Sequence, residues 1–324
     1  MSLVIAIPSK GRLQENAAAF FARAGLDIVQ GRGARDYRGA LDGMEDVEVA
    51  FLSAADIVAE VAAGRVHLGV TGEDLIREAI VDLPSKAELL APLGFGQANV
   101  VVAVPRAWID VKTMADLEDV AAAFRAKRGE RMRVATKYVN LTRRFFAERH
   151  VSDYRIVESL GATEGAPAAG KAEIIVDITT TGATLAANGL KILDDGTILR
   201  SQANLVASLQ AEWGAKVRER ARIILSQIAA EEEARTTREV TAFLPNKSGG
   251  LLAEVKALFS AQLRIHSADG QLAFNCPKEK APLLADWLIA KGAPHVCVAA
   301  QDYVFSAQNS LYGKLINRLP PFRA

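Results

Sequence analysis

Val176 to Leu190, VDITTTGATLAANGL, is the segment whose residue types could do the most chemistry. An apolar run delivers Asp177, and then Thr179, Thr180, Thr181, Gly182, Ala183 and Thr184 lead into a helical pattern. Such a loop can cradle a phosphate. Glycine lets the backbone approach closely, successive amides and threonine hydroxyls reach phosphate oxygens, and the helix start adds the positive end of its dipole. Asp177, at the carboxyl end of its strand, can accept hydrogen bonds from ribose hydroxyls. An ordinary helix N-cap would also explain a threonine here. One capping residue suffices for that, so three threonines and a glycine behind a strand-terminal acid favour the phosphate.

A second candidate is Pro8-Ser9-Lys10-Gly11-Arg12-Leu13, directly after the first apolar run. In open α/β sheets ligands bind beyond the carboxyl ends of the strands, which suits Lys10 and Arg12 to a polyanion, with Gly11 relieving the turn. A solvated basic turn fits the same residues. Arg35-Asp36-Tyr37-Arg38 adds two arginines and reads equally as a surface loop. Three more segments open helices or turns after apolar runs: Gly69-Val70-Thr71-Gly72-Glu73-Asp74, Thr136-Lys137-Tyr138-Val139-Asn140 and Gly161-Ala162-Thr163-Glu164-Gly165-Ala166-Pro167. Each alone reads as strand–helix punctuation. Together, at strand ends, they suggest one cleft.

The elements that must position these residues follow from periodicity. Apolar, Val- and Ile-rich runs at 3–8, 47–52, 67–71, 99–104, 133–136, 154–158 and 173–178 read as strands covered on both faces. Helical patterns lie between them, as at 13–24, 54–63, 141–150 and 183–188. This alternation predicts α/β architecture with mainly parallel sheet. A break at 104–111 and a returning apolar run at 203–209 predict two lobes: residues 1–104 with 198–236 (the first lobe and a linker helix), and 105–197. Trp213, Val217, Ala221, Ile224, Leu225 and Ile228 form the apolar stripe of the linker helix. Residues 231–238, EEEARTTR, read as its solvated charged end. Beyond lies β-α-β-β-α-β within 237–324, a ferredoxin-like module with Asp269-Gly270 as its hairpin turn.

The 324 residues carry 39 Lys+Arg against 38 Asp+Glu, a net charge of +1, which lacks the global charge of a nucleic-acid binder. Cys276 and Cys297 are too few for a disulfide framework or a four-cysteine zinc site, and are expected as reduced core thiols. No run of about 18 apolar residues predicts a membrane span. Basic residues follow the first apolar run instead of preceding it, unlike a signal peptide, so a soluble cytoplasmic protein is expected. The four histidines, His67, His150, His266 and His295, form no catalytic motif.

The blocks PSKGRL, LGVTGEDL, LGFG, ATKYVNLTRRFF and ATEGAPAAGKAEIIVDITTTGATLAANGLK, in this order over about residues 3–210, closely resemble the ATP phosphoribosyltransferase family. The resemblance implies a two-lobed catalytic core like type II periplasmic binding proteins. It also implies transfer of the phosphoribosyl group of phosphoribosyl pyrophosphate (PRPP) to N1 of ATP with Mg²⁺, the first step of histidine biosynthesis. Thr179 to Thr184 then match the loop for the 5′-phosphate, and Asp177 and Glu164 match acids near the ribose. Lys10, Gly11 and Arg12 match the motif near the polyphosphates, Arg35 an arginine for ATP and leaving pyrophosphate, and Tyr138 a substrate-binding tyrosine. The metal ligands stay unassigned.

One departure stands out. Many members carry an arginine before the Asp-Ile of the second helix, where this chain has Phe51-Leu52-Ser53-Ala54-Ala55-Asp56-Ile57. Arg38 or a neighbouring subunit could substitute. The resemblance further implies a homo-oligomer (dimer or hexamer). For the C-terminal module it leaves two expectations: a histidine-binding feedback domain, or an oligomerisation module on a core that needs a separate regulatory subunit. A solute-binding or effector-sensing protein on the same two-lobed fold is the rival, and the threonine-rich loop stands against it.

Overall fold

In the computed structural model, residues 2–30, 37–244 and 250–321 are described. They fall into two compact units, one drawn from Met1–Ala19 and Ile28–Gly214, the other from Phe20–Asp27 and Ala215–Phe322.

The first unit opens with β1 (Leu3–Pro8), α1 (Gly11–Arg23), β2 (Ile28–Gln30), β3 (Arg38–Leu41), β4 (Met44–Leu52), α2 (Ala54–Ala62) and β5 (Leu68–Gly72). Then come α3 (Glu73–Ala79), α4 (Leu83–Lys86), β6 (Ala87–Pro92), β7 (Ala98–Pro105), α5 (Met114–Arg128), β8 (Met132–Thr136) and α6 (Val139–Glu148). It closes with β9 (Tyr154–Glu158), β10 (Ile174–Thr179), α7 (Ala183–Ala187), β11 (Leu190–Ser201) and β12 (Ala203–Ser208).

These strands build two sheets, ordered β2-β3-β4-β1-β5-β12-β6 and β11-β7-β10-β8-β9. The chain crosses between them twice, from β6 to β7 and from β11 to β12. This is the two-lobed architecture of type II periplasmic binding proteins. Each lobe has its own core: Ile57, Val61, Ile76 and Val206 are buried in the first, Val102, Met114, Leu117 and Phe146 in the second.

Two expectations are corrected. The sheets are mixed, not mainly parallel. β1 pairs parallel with β4 and β5, and β8 with β9 and β10, whereas β12 runs antiparallel to β5 and β6, and β7 antiparallel to β10 and β11. A chain that crosses over and returns must run its crossing strands against the βαβ strands. The first lobe also ends earlier than residue 104. β7 lies between β10 and β11, so the crossing comes between Pro92 and Ala98, and β11 keeps the second sheet going to Ser201.

In the second unit, α8 (Ala215–Thr236) precedes β13 (Thr237–Phe243), α9 (Leu251–Phe259), β14 (Gln262–His266), β15 (Gln271–Pro277), α10 (Ala281–Ala290), β16 (Val296–Ala299) and α11 (Ser310–Ile316). The order β14-β15-β13-β16 is that of a ferredoxin-like βαββαβ sheet, with Val240, Leu272, Phe274, Leu284 and Leu288 buried beneath its helices. The predicted apolar stripe of α8 is buried from Val217 to Ile228, but the helix clusters with this unit instead of the first lobe. Its acidic end is not wholly solvated. Glu231 is buried and accepts from Arg23 Nε at 3.3 Å. Of the two free thiols only Cys276 is buried, and Cys297 is exposed on β16.

His67 shows why a buried histidine need not be catalytic. Its Nδ1 accepts from the Val4 amide at 3.0 Å, its Nε2 lies 3.2 Å from the Glu212 carbonyl, and its ring meets Trp213 edge-on at 5.1 Å. The accepting Nδ1 makes this the neutral tautomer with the proton on Nε2. Burial lowers its pKa below the ordinary 6.5, opposed by the Glu212 carbonyl. The stability it contributes is therefore present above 6.5 and lost as pH falls through the depressed value. Thermal unfolding midpoints between about pH 7.5 and about 5 should fall more steeply for the wild type than for His67→Gln; equal slopes would remove His67 from the acid limb.

Candidate active site

The parallel strands end together on each lobe, and the candidate residues sit at those ends. On the first lobe, β1 stops at Pro8 and the Ser9 amide donates to the Leu52 carbonyl at 2.9 Å, so the loop turns directly into α1. Lys10, Gly11 and Arg12 are all exposed. The first turn of α1 carries no acid. Its positive dipole end therefore adds to the two cations, an arrangement that attracts anions.

On the second lobe, β10 delivers Asp177, and the loop turns at Gly182, whose φ of +78° is the left-handed conformation that favours glycine. Thr179 Oγ1 accepts from the Gly182 amide at 2.8 Å and Thr181 Oγ1 from the Ala183 amide at 3.3 Å. The hydroxyls thus hold in place the amides that a phosphate would take over. Thr180, Thr181, Ala183 and Thr184 are exposed.

The β6–β7 crossover touches both lobes' loops. Thr180 Oγ1 donates to the Gln97 carbonyl at 3.2 Å. One residue earlier, Gly96 has φ +65°, and a Cβ there would lie 2.8 Å from Leu13 Cδ2 of α1. The lysine–arginine loop and the threonine loop, more than 160 residues apart, abut the same stretch of chain. That explains the second glycine of LGFG, Gly96.

Asp177 is partly buried, and its Oδ1 accepts from the Ile178 amide at 2.8 Å. Burial raises its pKa, opposed by the Ile178 amide and by Lys137, while Glu164 pushes it further up. Asp177, Lys137 and Glu164 therefore share one electrostatic neighbourhood. Glu164 sits in the 3₁₀ turn Thr163–Gly165, entered through Ala162 at φ +49°, a left-handed residue with a side chain. Such backbone strain recurs where a turn must present a functional group. Among the described residues, no group of three or more His, Cys, Asp or Glu side chains could hold a metal on its own.

One sequence expectation comes out differently. Tyr138 is 1% exposed within the second lobe's core and its hydroxyl donates to Asp74 Oδ2 at 2.7 Å, so it does not offer that hydroxyl to a ligand. Arg35 lies outside the described residues. Arg38 pairs with Glu48 at 2.7 Å on the neighbouring strand β4, and Ser53 acts as N-cap of α2, accepting from the Asp56 amide at 3.1 Å. Sequence reasoning singled out neither Lys137 nor Asp74, although both lie in quoted motifs. Lys137 was signalled only by its place at a strand end.

A two-lobed core with a threonine–glycine loop after an acid at a strand end fits a pentosyl-transferring enzyme. The comparisons agree. The family model described as HisG: ATP phosphoribosyltransferase matches residues 53–230. Curated proteins named ATP phosphoribosyltransferase are 58% identical over 316 residues in Nitrobacter winogradskyi, covering 97% of each chain, and 59% identical over 314 residues in Rhodopseudomonas palustris strain HaA2, covering 96% of this chain and 97% of that one. A solved structure of the ATP phosphoribosyl transferase (HisG:HisZ) complex from Thermotoga maritima aligns with TM-score 0.53 and 25% identity, covering 70% of this chain and 96% of its own. The chain belongs to the ATP phosphoribosyltransferase family. It transfers the phosphoribosyl group of PRPP to N1 of ATP, the first step of histidine biosynthesis.

The raised pKa of Asp177 yields a stability prediction. A carboxyl whose folded pKa lies above its ordinary 3.8 stabilises fully below that value, and the contribution is lost as pH rises through the folded pKa. Asp177→Asn should therefore melt higher than the wild type at neutral pH, with the gap closing toward pH 3.8. A variant that melts lower at neutral pH would contradict the burial argument.

Proposed function

We propose that the loop from Thr179 to Thr184 holds the 5′-phosphate of PRPP, with Asp177 and Glu164 beside the ribose. Lys10, Gly11, Arg12 and Arg35 are assigned to the triphosphate and the leaving pyrophosphate. The observation that carries this reading is the shared crossover: Thr180 bonds Gln97 while Leu13, next to Arg12, approaches Gly96.

Adenine N1 is itself the nucleophile, so no serine, cysteine or histidine nucleophile is needed. The C1′–oxygen bond to pyrophosphate breaks as the N1–C1′ bond forms, and positive charge grows on the sugar between. Asp177 and Glu164 stabilise that charge, while Lys10, Arg12 and Lys137 stabilise the departing pyrophosphate. Mg²⁺, when bound, supplies further charge neutralisation on the polyphosphate. It would take one or two carboxylates together with substrate phosphates, which suits a site whose described residues hold no metal-ligating cluster of their own.

The same reading places the enzyme in the cytoplasm, and no described helix is long and apolar enough to cross a membrane. A homo-oligomer, dimer or hexamer, is supported by exposed Leu258, Leu283, Ile289, Val298 and Phe305 on the second unit. The functional parts are the two lobes and the ferredoxin-like module, the latter regulatory or oligomeric. The structural neighbour from Thermotoga maritima is a complex with a second kind of chain, which supports a separate regulatory subunit as an alternative to feedback by histidine on this chain's own module.

In an assay with ATP, PRPP and Mg²⁺, followed by the ultraviolet absorbance of phosphoribosyl-ATP, Thr184→Val should raise KM for PRPP about tenfold, the worth of a hydrogen bond to a charged group. Lys10→Ala should lower kcat roughly a hundredfold, comparable to losing a transition-state charge partner. Unchanged constants in both would overturn the assignment. Titrating histidine into the full-length enzyme distinguishes the two regulatory readings, with inhibition of the enzyme alone supporting the feedback domain.

A further inference from the structure

Two carboxyl groups on one face of α3 tie the lobes together. Asp74, 6% exposed, accepts from Tyr138 of the second lobe through Oδ2 at 2.7 Å and from Ser201, at the end of crossing strand β11, through Oδ1 at 2.8 Å. Ser201 Oγ in turn accepts from the Asp74 amide at 3.0 Å. One helical turn on, Glu78 accepts from the amides of Asn140 and Leu141, both at 2.9 Å, and its carbonyl accepts from Asn140 Nδ2 at 2.9 Å. These amides at the start of α6 have no partner within the helix, and Tyr138 supplies no side-chain cap. The first lobe thereby caps a helix of the second.

The space for this arrangement is reserved at Gly72, where a Cβ would stand 2.4 Å from Asp74 Oδ1. Any side chain there would displace the carboxyl, a physical reason for glycine in Thr-Gly-Glu-Asp. Tyr138 joins the latch to the site, because Lys137 Nζ lies 5.1 Å over its ring and Lys137 acts on Asp177. Burial and the neighbouring Asp74 raise the tyrosine pKa, which keeps its hydroxyl a donor.

We propose that Asp74 and Glu78 are positioning residues: they bolt the turn 136–141, and with it Lys137, to the first lobe, so that cations on one lobe meet the phosphate loop on the other in one transition state. Neither touches substrate. The proposal rests on the site reading above, which the turnover of Asp177→Asn judges separately, since a carboxylate beside the ribose makes that variant slow.

The phosphate loop lies wholly on the second lobe and stays intact when the latch opens. In the full-length enzyme Tyr138→Phe should therefore lower kcat about tenfold or more, with KM for PRPP within about twofold, since misplacement costs the transition state first. Ser201→Ala should do the same. Because both hydroxyls act through one carboxyl, Asp74→Asn with Tyr138→Phe should be no slower than Asp74→Asn alone. Hydrogen exchange over residues 139–146 should quicken in Glu78→Ala together with a fall in kcat. A normal kcat per folded molecule in Tyr138→Phe and Ser201→Ala would overturn the proposal, as would losses that multiply in the double variant. If these variants are slow while Asp177→Asn turns over normally, the latch stands and the assignment of Asp177 fails.

Discussion

The structure of the catalytic core hangs on a buried carboxyl, Asp74, that accepts from a tyrosine of the other lobe and a serine at the crossing strand. A buried carboxyl is costly unless its oxygens are satisfied. Here both are, by partners 64 and 127 residues away. Its two donors lie on the second lobe and at the end of the crossing strand, so the bonds of one carboxyl span the two halves of the core.

The candidate site is built differently: Lys10 and Arg12 stand exposed at a helix start, while the hydroxyls of Thr179 and Thr181 bond the amides of their own loop. Asp177 is kept partly buried against its own stability. Natural enzymes often accept such a local cost where chemistry requires it. The solute-binding alternative on the same fold offers no account of a threonine loop built this way behind a strained acidic turn.

Much of this is legible in sequence where the signal is local. The βαββαβ order of the second unit follows from alternating apolar residues and the Asp269-Gly270 turn, and the strands β1, β5, β8 and β10 are short, mostly apolar runs. A second hairpin signal, Asp42-Gly43, joins β3 to β4 with Leu41 opposite Met44, and is equally readable. Other features are not. β11 mixes polar and apolar residues around Gly196 and shifts register against β7, so no clean period of two marks it. That β7 belongs to the second lobe is a matter of pairing across the sheet. The family resemblance makes Tyr138 a substrate-binding tyrosine, and its bond to Asp74, 64 residues away, leaves no local signal. Glu231 reads as solvated for the same reason.

That one site, shared by two lobes, holds PRPP by its 5′-phosphate at the threonine loop is tested most directly by a crystal structure of the full-length enzyme with PRPP and Mg²⁺. The 5′-phosphate is expected within hydrogen-bonding distance of the amides and hydroxyls from Thr180 to Thr184, with the ribose hydroxyls on Asp177 and the pyrophosphate toward Lys10 and Arg12. A phosphate bound elsewhere, with Thr179 and Thr181 still holding the amides of Gly182 and Ala183, would contradict it.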